Sequence, residues 1–211
     1  MPTRRFENMN PERKKEILRA ARAEFSRSGL DGASLNDIIR EAGISKGSFY
    51  YYFEDKIDLY ITVMKFYMEN LIREIGGAIA GEYTNDFWKD IEDYARKSIQ
   101  ITMKNPELIM LYRGIISLSP HNKSVQELYN YGKSIFTALF QRGQKMGAVR
   151  TDIPLDLLVN IIFAVDLTLD HWFFERWENL TPSEIENTIT LYLEMYRNIA
   201  GPETVKGVAA Q

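Results

Sequence analysis

The sequence predicts an all-α protein of about nine helices, and three observations carry that prediction. Apolar residues recur three and four apart through nearly the whole 211-residue chain, the spacing of one helical face. Asn10-Pro11, Asn105-Pro106 and Thr181-Pro182 place a cap-type residue before a first-turn proline, while Gly29, Gly43 and Gly201 close periodic runs. No alternating run reads as a strand, and no repeat or low-complexity segment interrupts the pattern. Hydrophobic content of 45% and charged content of 26% describe a soluble globular chain with ample core.

Residues 1–9 read as a mobile, solvated arm, although Arg4 and Arg5 could touch a DNA groove or backbone. The first helix then runs from Asn10 to about Ser28 with Ile17, Leu18, Ala21 and Phe25 on one face, and Asp31–Ala33 form a turn. Ser34 caps the second helix, with Asp37 three residues on closing a capping box. Its apolar face is Leu35, Ile38, Ile39 and Ala42, and Gly43 supplies a left-handed stop. Ser45 caps the third helix after a turn of about four residues, which is helix-turn-helix spacing.

In the third helix Phe49 and Phe53 are four apart and point inward together. Lys46, Gly47, Ser48, Tyr50, Tyr51 and Tyr52 are left to face outward. Lys, Ser and Tyr donate to phosphates, Gly lets a backbone approach closely, and a Tyr ring reaches a thymine methyl or base edge. An ordinary αα-hairpin with an aromatic surface fits the helix pair equally well.

Asp55 caps a long fourth helix with Asp58 as its boxed partner, and Tyr60, Val63, Met64, Tyr67, Met68, Leu71 and Ile75 repeat along it until Gly76-Gly77 and Gly81 weaken it. A fifth helix spans about Asn85 to Lys104, a sixth about Glu107 to Ser117, and a seventh about Asn122 to Lys145. After a loop bounded by Gly147 and Pro154, the eighth spans about Leu155 to Glu178. Thr181 and Glu184 box the start of a ninth, which Gly201-Pro202 stops, and a frayed tail runs to Gln211.

Residues 10–60 resemble the DNA-binding domain of the TetR (tetracycline-repressor-like) family of transcription regulators. The residues carrying the resemblance are Ile17, Leu18, Ala20, Ala21, Phe25, Gly29, Ser34, Ala42, Gly43, Ile44, Ser45, Lys46, Gly47, Tyr50, Phe53 and Lys56. Two positions depart from the pattern: Leu30 stands where an aromatic is usual, and Tyr52 where His is common. The resemblance implies a helix-turn-helix domain over residues 1–56 and an effector-binding and dimerisation domain over 57–211. It implies a repressor that binds a palindromic double-stranded operator as a homodimer and leaves it on binding a small-molecule effector. DNA contacts are expected from Ser34, Ser45, Lys46, Gly47, Ser48, Tyr50, Tyr51, Tyr52 and Lys56, with Ser48 and Tyr51 nearest the bases. The alternatives are a helical regulator answering to a protein partner, and a ligand-binding or scaffold protein without DNA binding.

Charge agrees with this division. Residues 1–56 hold 11 Lys and Arg against 9 Asp and Glu, a net of +2, whereas the rest hold 15 against 20, a net of −5. The electrostatic work falls to Arg4, Arg5, Lys14, Lys15, Lys46 and Lys56. No apolar run reaches the roughly 18 residues of a membrane span, and the N-terminus has no signal-type apolar region, so a cytoplasmic protein is expected. Without cysteines, and with His121 and His171 as the two histidines, the chain offers no metal site and no catalytic residues, and no cofactor is expected.

The eighth helix divides into two sides. Leu158, Ile161, Ile162, Val165, Leu169, Trp172 and Phe173 make an apolar stripe. Asn160, Phe163, Asp166, Leu167, Asp170, His171 and Phe174 mix aromatics with convergent polar groups, as a ligand cavity does. Pairing of Asp166 and Asp170 with Arg residues at a dimer interface explains them as well. The expected cavity is walled by Met103, Tyr112, Phe140, Phe163 and Phe174, with Arg113, Asp166, Asp170 and His171 orienting the guest. Two unpaired carboxylates there favour an apolar cation; neutralisation by Arg113 favours a neutral or acidic guest. Leu158, Ile162, Val165 and Leu169, with Ile185, Ile189, Tyr192 and Tyr196 of the ninth helix, are expected to form a four-helix dimer interface.

Overall fold

The computed structural model describes residues 2–76 and 84–202. Its helices are α1 (Arg4–Glu7), α2 (Pro11–Gly32), α3 (Leu35–Glu41), α4 (Lys46–Tyr52), α5 (Lys56–Ile75), α6 (Phe87–Lys104), α7 (Pro106–Ile116), α8 (Lys123–Lys145), α9 (Leu155–Arg176) and α10 (Pro182–Ala200), with a 3₁₀ turn at Trp177–Asn179. The fold is all-α, with no strand among the described residues. Nine of the ten α-helices among the described residues are those expected, and α1 is the addition. The expected weak points at Gly77 and Gly81, and the tail from 203 onward, lie outside the described residues.

Local chemistry sets the helix ends. The Asn10 side chain accepts from the amides of Glu12 and Arg13, and Thr181 and Glu184 form the full reciprocal box at the start of α10. Ser34 accepts from the Asp37 amide, but the box expected there is not closed. The Ser34 amide donates instead to Glu24 Oε1 of α2 at 3.0 Å, and the Asp37 carboxylate turns to Arg40 at 2.5 Å. A buried Glu24 therefore ties α2 to the start of α3, and this amide bond, helped by Arg27, holds its carboxyl below the usual range. Gly29 (φ +68°) breaks α2, and the turn after it folds Leu30 into the core. A Leu replaces the customary aromatic without opening that core to solvent.

Packing divides the chain into two compact units, Met1–Ile75 with Ser98–Tyr131 and Gly76–Lys97 with Gly132–Gln211. This division by packing crosses the functional boundary expected at residue 56, because α2 packs on α3, α5 and α7 alike. In the first unit Ile17, Ala21, Phe25, Ile38, Phe49, Phe53, Leu59 and Leu111 are fully buried. Tyr60 lies among them, its ring edge-on to Phe25 at 4.8 Å and its hydroxyl donating to the Leu111 carbonyl. In the second unit Phe87, Phe140, Val149, Leu158 and Ile162 form the core. Beside it Arg142 grips Asp90 at 2.7 Å. Burial pushes the Asp90 carboxyl up, but Thr84 and Arg142 together hold it below the usual range.

Helix α9 is long and apolar enough to cross a membrane by length and composition alone, which the sequence reading did not allow. In the structure its Leu158, Val159 and Ile162 are core, and it carries Asp166 and Asp170. It packs against α10.

One close approach in the first unit is testable. A Cβ at Gly114 of α7 would stand 2.8 Å from Tyr60 Cζ and 3.4 Å from Leu30 Cβ. Gly114→Ala should therefore destabilise the protein by about 1–3 kcal/mol, as overpacked cores do. Gly147→Asn, at a left-handed position with nothing near the absent side chain, should cost less in the same thermal or urea melt.

Candidate nucleic-acid interface

Helix α4 is seven residues long and cannot persist by itself. Three features hold it. The Ser45 side chain accepts from the Ser48 amide at 3.0 Å, and Gly43 turns the chain at φ +60° before it. Phe49 and Phe53 are wholly buried, 5.5 Å apart, in the first unit's core. With that side committed inward, Lys46, Gly47, Tyr50 and Tyr51 are exposed, and Tyr50 and Tyr51 are among the most exposed large hydrophobic side chains described.

The expected DNA residues divide by what already holds them. Lys46 is exposed and makes no hydrogen bond or ion pair among the described residues. A Cβ at Gly47 would meet only Ser45 Oγ at 3.8 Å, so packing within the chain does not demand glycine there. Ser45 and Ser48 bond each other through their hydroxyls at 2.8 Å at the exposed start of α4. Tyr52 is half-buried against Phe6 and Phe53. Ser34 is occupied as the cap of α3. Lys56 differs most from expectation: its ammonium donates to the Asp31 and Ala33 carbonyls, both at 3.1 Å. It closes the turn between α2 and α3, because the carbonyls left unsatisfied after α2 lie within its reach.

The N-terminal segment is not the free arm expected. Phe6 is buried, 4.7 Å from the Phe53 ring. The Thr3 amide donates to Tyr52 O at 2.9 Å and the Thr3 hydroxyl to Tyr51 O at 3.0 Å, while Lys14 donates to the Glu7 carbonyl. The Arg5 guanidinium carbon stands 3.8 Å above the centre of the Tyr51 ring. The sequence signal for this docking was the lone Phe6 in a polar stretch, since a solvated arm has no use for it.

The nine residues expected around an effector do not fall in one unit. Met103, Tyr112 and Arg113 are half-buried in the first. In the second, Phe140 and Phe163 are buried and both pack on Phe136, with ring centres 6.1 and 5.8 Å from it. Phe174 is buried against Phe173. Asp166 and Asp170 share one stripe of α9 with Phe163 and Phe174, but unlike those rings they keep accessible surface. Tyr196 of α10 donates to Asp166, and Tyr192 donates to the Leu169 carbonyl at 2.6 Å. No hydrogen bond or ion pair among the described residues reaches Asp170. Desolvation raises both carboxyls above the usual range, and the charge of Asp166 raises Asp170 further. His171 departs from expectation: at about 100° per residue it is turned away from Asp170. It is exposed, with Nε2 3.4 Å from Glu175 Oε1.

The residues expected at a dimer interface divide in two: Val165, Leu169, Tyr192 and Tyr196 are half-buried and keep accessible surface. Leu158, Ile162, Ile185 and Ile189 are buried within the second unit and have no apolar surface to spare. The exposed apolar residues are Leu157, Ile161 and Trp172 of α9 and Leu191 of α10, all 38–53% exposed.

Comparison with known proteins identifies the family. Residues 17–63 match the family model "Bacterial regulatory proteins, tetR family". The HTH-type transcriptional repressor SCO4008 of Streptomyces coelicolor is 30% identical over 157 residues, covering 72% of this chain and 75% of that one. The HTH-type transcriptional regulator YvdT of Bacillus subtilis is 26% identical over 171 residues, covering 78% and 86%. The fold is shared with the Bacillus subtilis regulator FadR, solved in complex with stearoyl-CoA, at a TM-score of 0.65 and 17% identity over 86% of this chain and 96% of that one. The chain belongs to the tetR family of bacterial regulatory proteins and is a DNA-binding transcriptional regulator.

Proposed function

We propose that this regulator is a cytoplasmic homodimeric repressor that places α4 in the major groove of a palindromic operator and leaves it when an apolar cation binds in its second unit. The observation that carries the DNA half is the commitment of Phe49 and Phe53 to the core, which turns Lys46, Gly47, Tyr50 and Tyr51 outward together. The functional boundary stays at residue 56, with operator contacts before it and effector and dimer contacts after. Lys46, Ser45, Tyr50 and Tyr52 hold phosphates, while Ser48 and Tyr51 face bases. Ser34 and Lys56 act one step back, by fixing the turns that position α4.

A two-fold dimer doubles a small recognition face and spaces the half-sites about one helical turn apart. The exposed residues Leu157, Ile161, Trp172 and Leu191 supply its contact. The effector site is proposed around Phe140, Phe163 and Phe174 with Asp166 and Asp170. Support comes from two carboxylates without a basic partner beside aromatic rings, a setting in which a cation recovers the cost of charging them. The stearoyl-CoA held by FadR shows that this fold accommodates a small molecule in a relative. By linkage, an effector that lowers operator affinity tenfold binds the DNA-bound dimer tenfold more weakly, about 1.4 kcal/mol of coupling.

Duplex selection from a randomised pool, followed by gel shifts, tests the DNA half. Lys46→Ala should weaken binding to every duplex and reduce the salt slope by about one unit. Gly47→Ala should keep or raise thermal stability, since Ala favours a helix by up to about 1 kcal/mol, while weakening operator binding. Lys56→Ala should lower stability as well as affinity; a salt slope reduced by one with no loss of stability would return Lys56 to the phosphates.

Light scattering tests the assembly. Ile161→Arg combined with Trp172→Glu should yield a folded monomer at micromolar concentration, because neither side chain is core.

The carboxylates make a signed prediction about pH. A carboxyl raised on folding contributes stability in its protonated form, in full below the ordinary Asp value and lost as pH rises through the raised value. Asp170→Asn should thus match wild type near pH 4 and gain on it toward neutrality, read as the difference in thermal midpoints. A difference constant from about pH 4 to 7 would place Asp170 in contact with a cation or in water.

A further inference from the structure

We infer that Arg5, outside the helix-turn-helix, is a specificity-determining positioning residue that holds the Tyr51 ring in its base-reading orientation. The inference deepens the DNA reading above and rests on it.

An exposed tyrosine on a short helix is free to change rotamer, and a reading group that must be fixed on binding loses affinity and selectivity in being fixed. Tyr51 is 47% exposed, yet its ring is bounded on two sides. The Tyr52 ring lies 5.6 Å away at 74°, and the Arg5 guanidinium covers a face at 3.8 Å. A guanidinium stacked on a tyrosine face is attracted by the ring quadrupole and keeps its planar N–H edge outward.

Arg5 can do this only because its own backbone is fixed. The last turn of α4 leaves carbonyls without helical partners, and Thr3 takes two of them, at Tyr51 and Tyr52. One residue past Arg5, Phe6 is buried against Phe53, the same ring that orients α4. The segment that carries the guanidinium and the helix that carries the ring thus share one anchor. Arg5 itself is exposed, so its replacement leaves the core intact.

The test uses the full chain and a palindromic duplex selected from a randomised pool, with single-base-pair variants of it. Arg5→Gln should lower the ratio of operator to variant affinity about 2- to 5-fold, the size of an exposed cation–π contact, with the salt slope unchanged. Arg5→Lys, which keeps a cation over the ring, should restore most of the ratio. In a Tyr51→Ala background Arg5→Gln should have no further effect on the ratio, because the two act as one unit. Discrimination intact in Arg5→Gln overturns the inference. So does a uniform loss on all duplexes, additive with Tyr51→Ala and with the slope reduced by about one, since Arg5 would then be a phosphate contact. A wild-type protein that selects no duplex overturns the DNA reading, and this inference with it.

Discussion

The arrangement of the DNA-facing surface depends on the burial of Phe49 and Phe53. A helix of seven residues has too few internal hydrogen bonds to offset the cost of starting it, so its existence and its rotation are both set from outside. Two wholly buried rings one turn apart do both at once. Because their faces are used in the core, the opposite residues have nowhere to go but outward. Phe6 closes on the same cluster from the N-terminal side, so α1 becomes part of the surface that α4 presents.

Polar side chains then fix what apolar burial leaves loose. Glu24 accepts the Ser34 amide and anchors the entry to α3, while Lys56 takes the Asp31 and Ala33 carbonyls from the other side of the same turn. These bonds join helices far apart in sequence, at separations of 10 to 25 residues. Each satisfies a backbone group that a helix end would otherwise leave open. Lys56 is thus held by the backbone of this chain, whatever charge it offers outward.

The second unit follows a different logic. Its buried Asp90 is matched by Arg142 and Thr84, whereas Asp166 and Asp170 sit on an inward stripe with tyrosines for company. A fold that leaves carboxyls in this state spends stability at neutral pH. That expense is intelligible if a guest recovers it, which is the sense in which the site and the proposed effector explain each other. The exposed apolar residues Leu157, Ile161, Trp172 and Leu191, to which the dimer contact is assigned by proposal, are separate from that site.

What could be read in the sequence was local. Every helix but α1, most helix ends and the inward turn of Phe49 and Phe53 follow from spacing and capping, because they depend on residues within one or two turns of each other. The likeness of residues 10–60 to the family was legible for the same reason. Tertiary structure alone decided the rest. Whether Arg5 and Phe6 are free, which atoms Lys56 reaches, and which stripe of α9 is buried all depend on residues brought together from distant parts of the chain. Helix periodicity shows that α9 has two faces, but both Leu158 and Leu157 are leucine. Only the helices packed against it decide that the first is core and the second is surface.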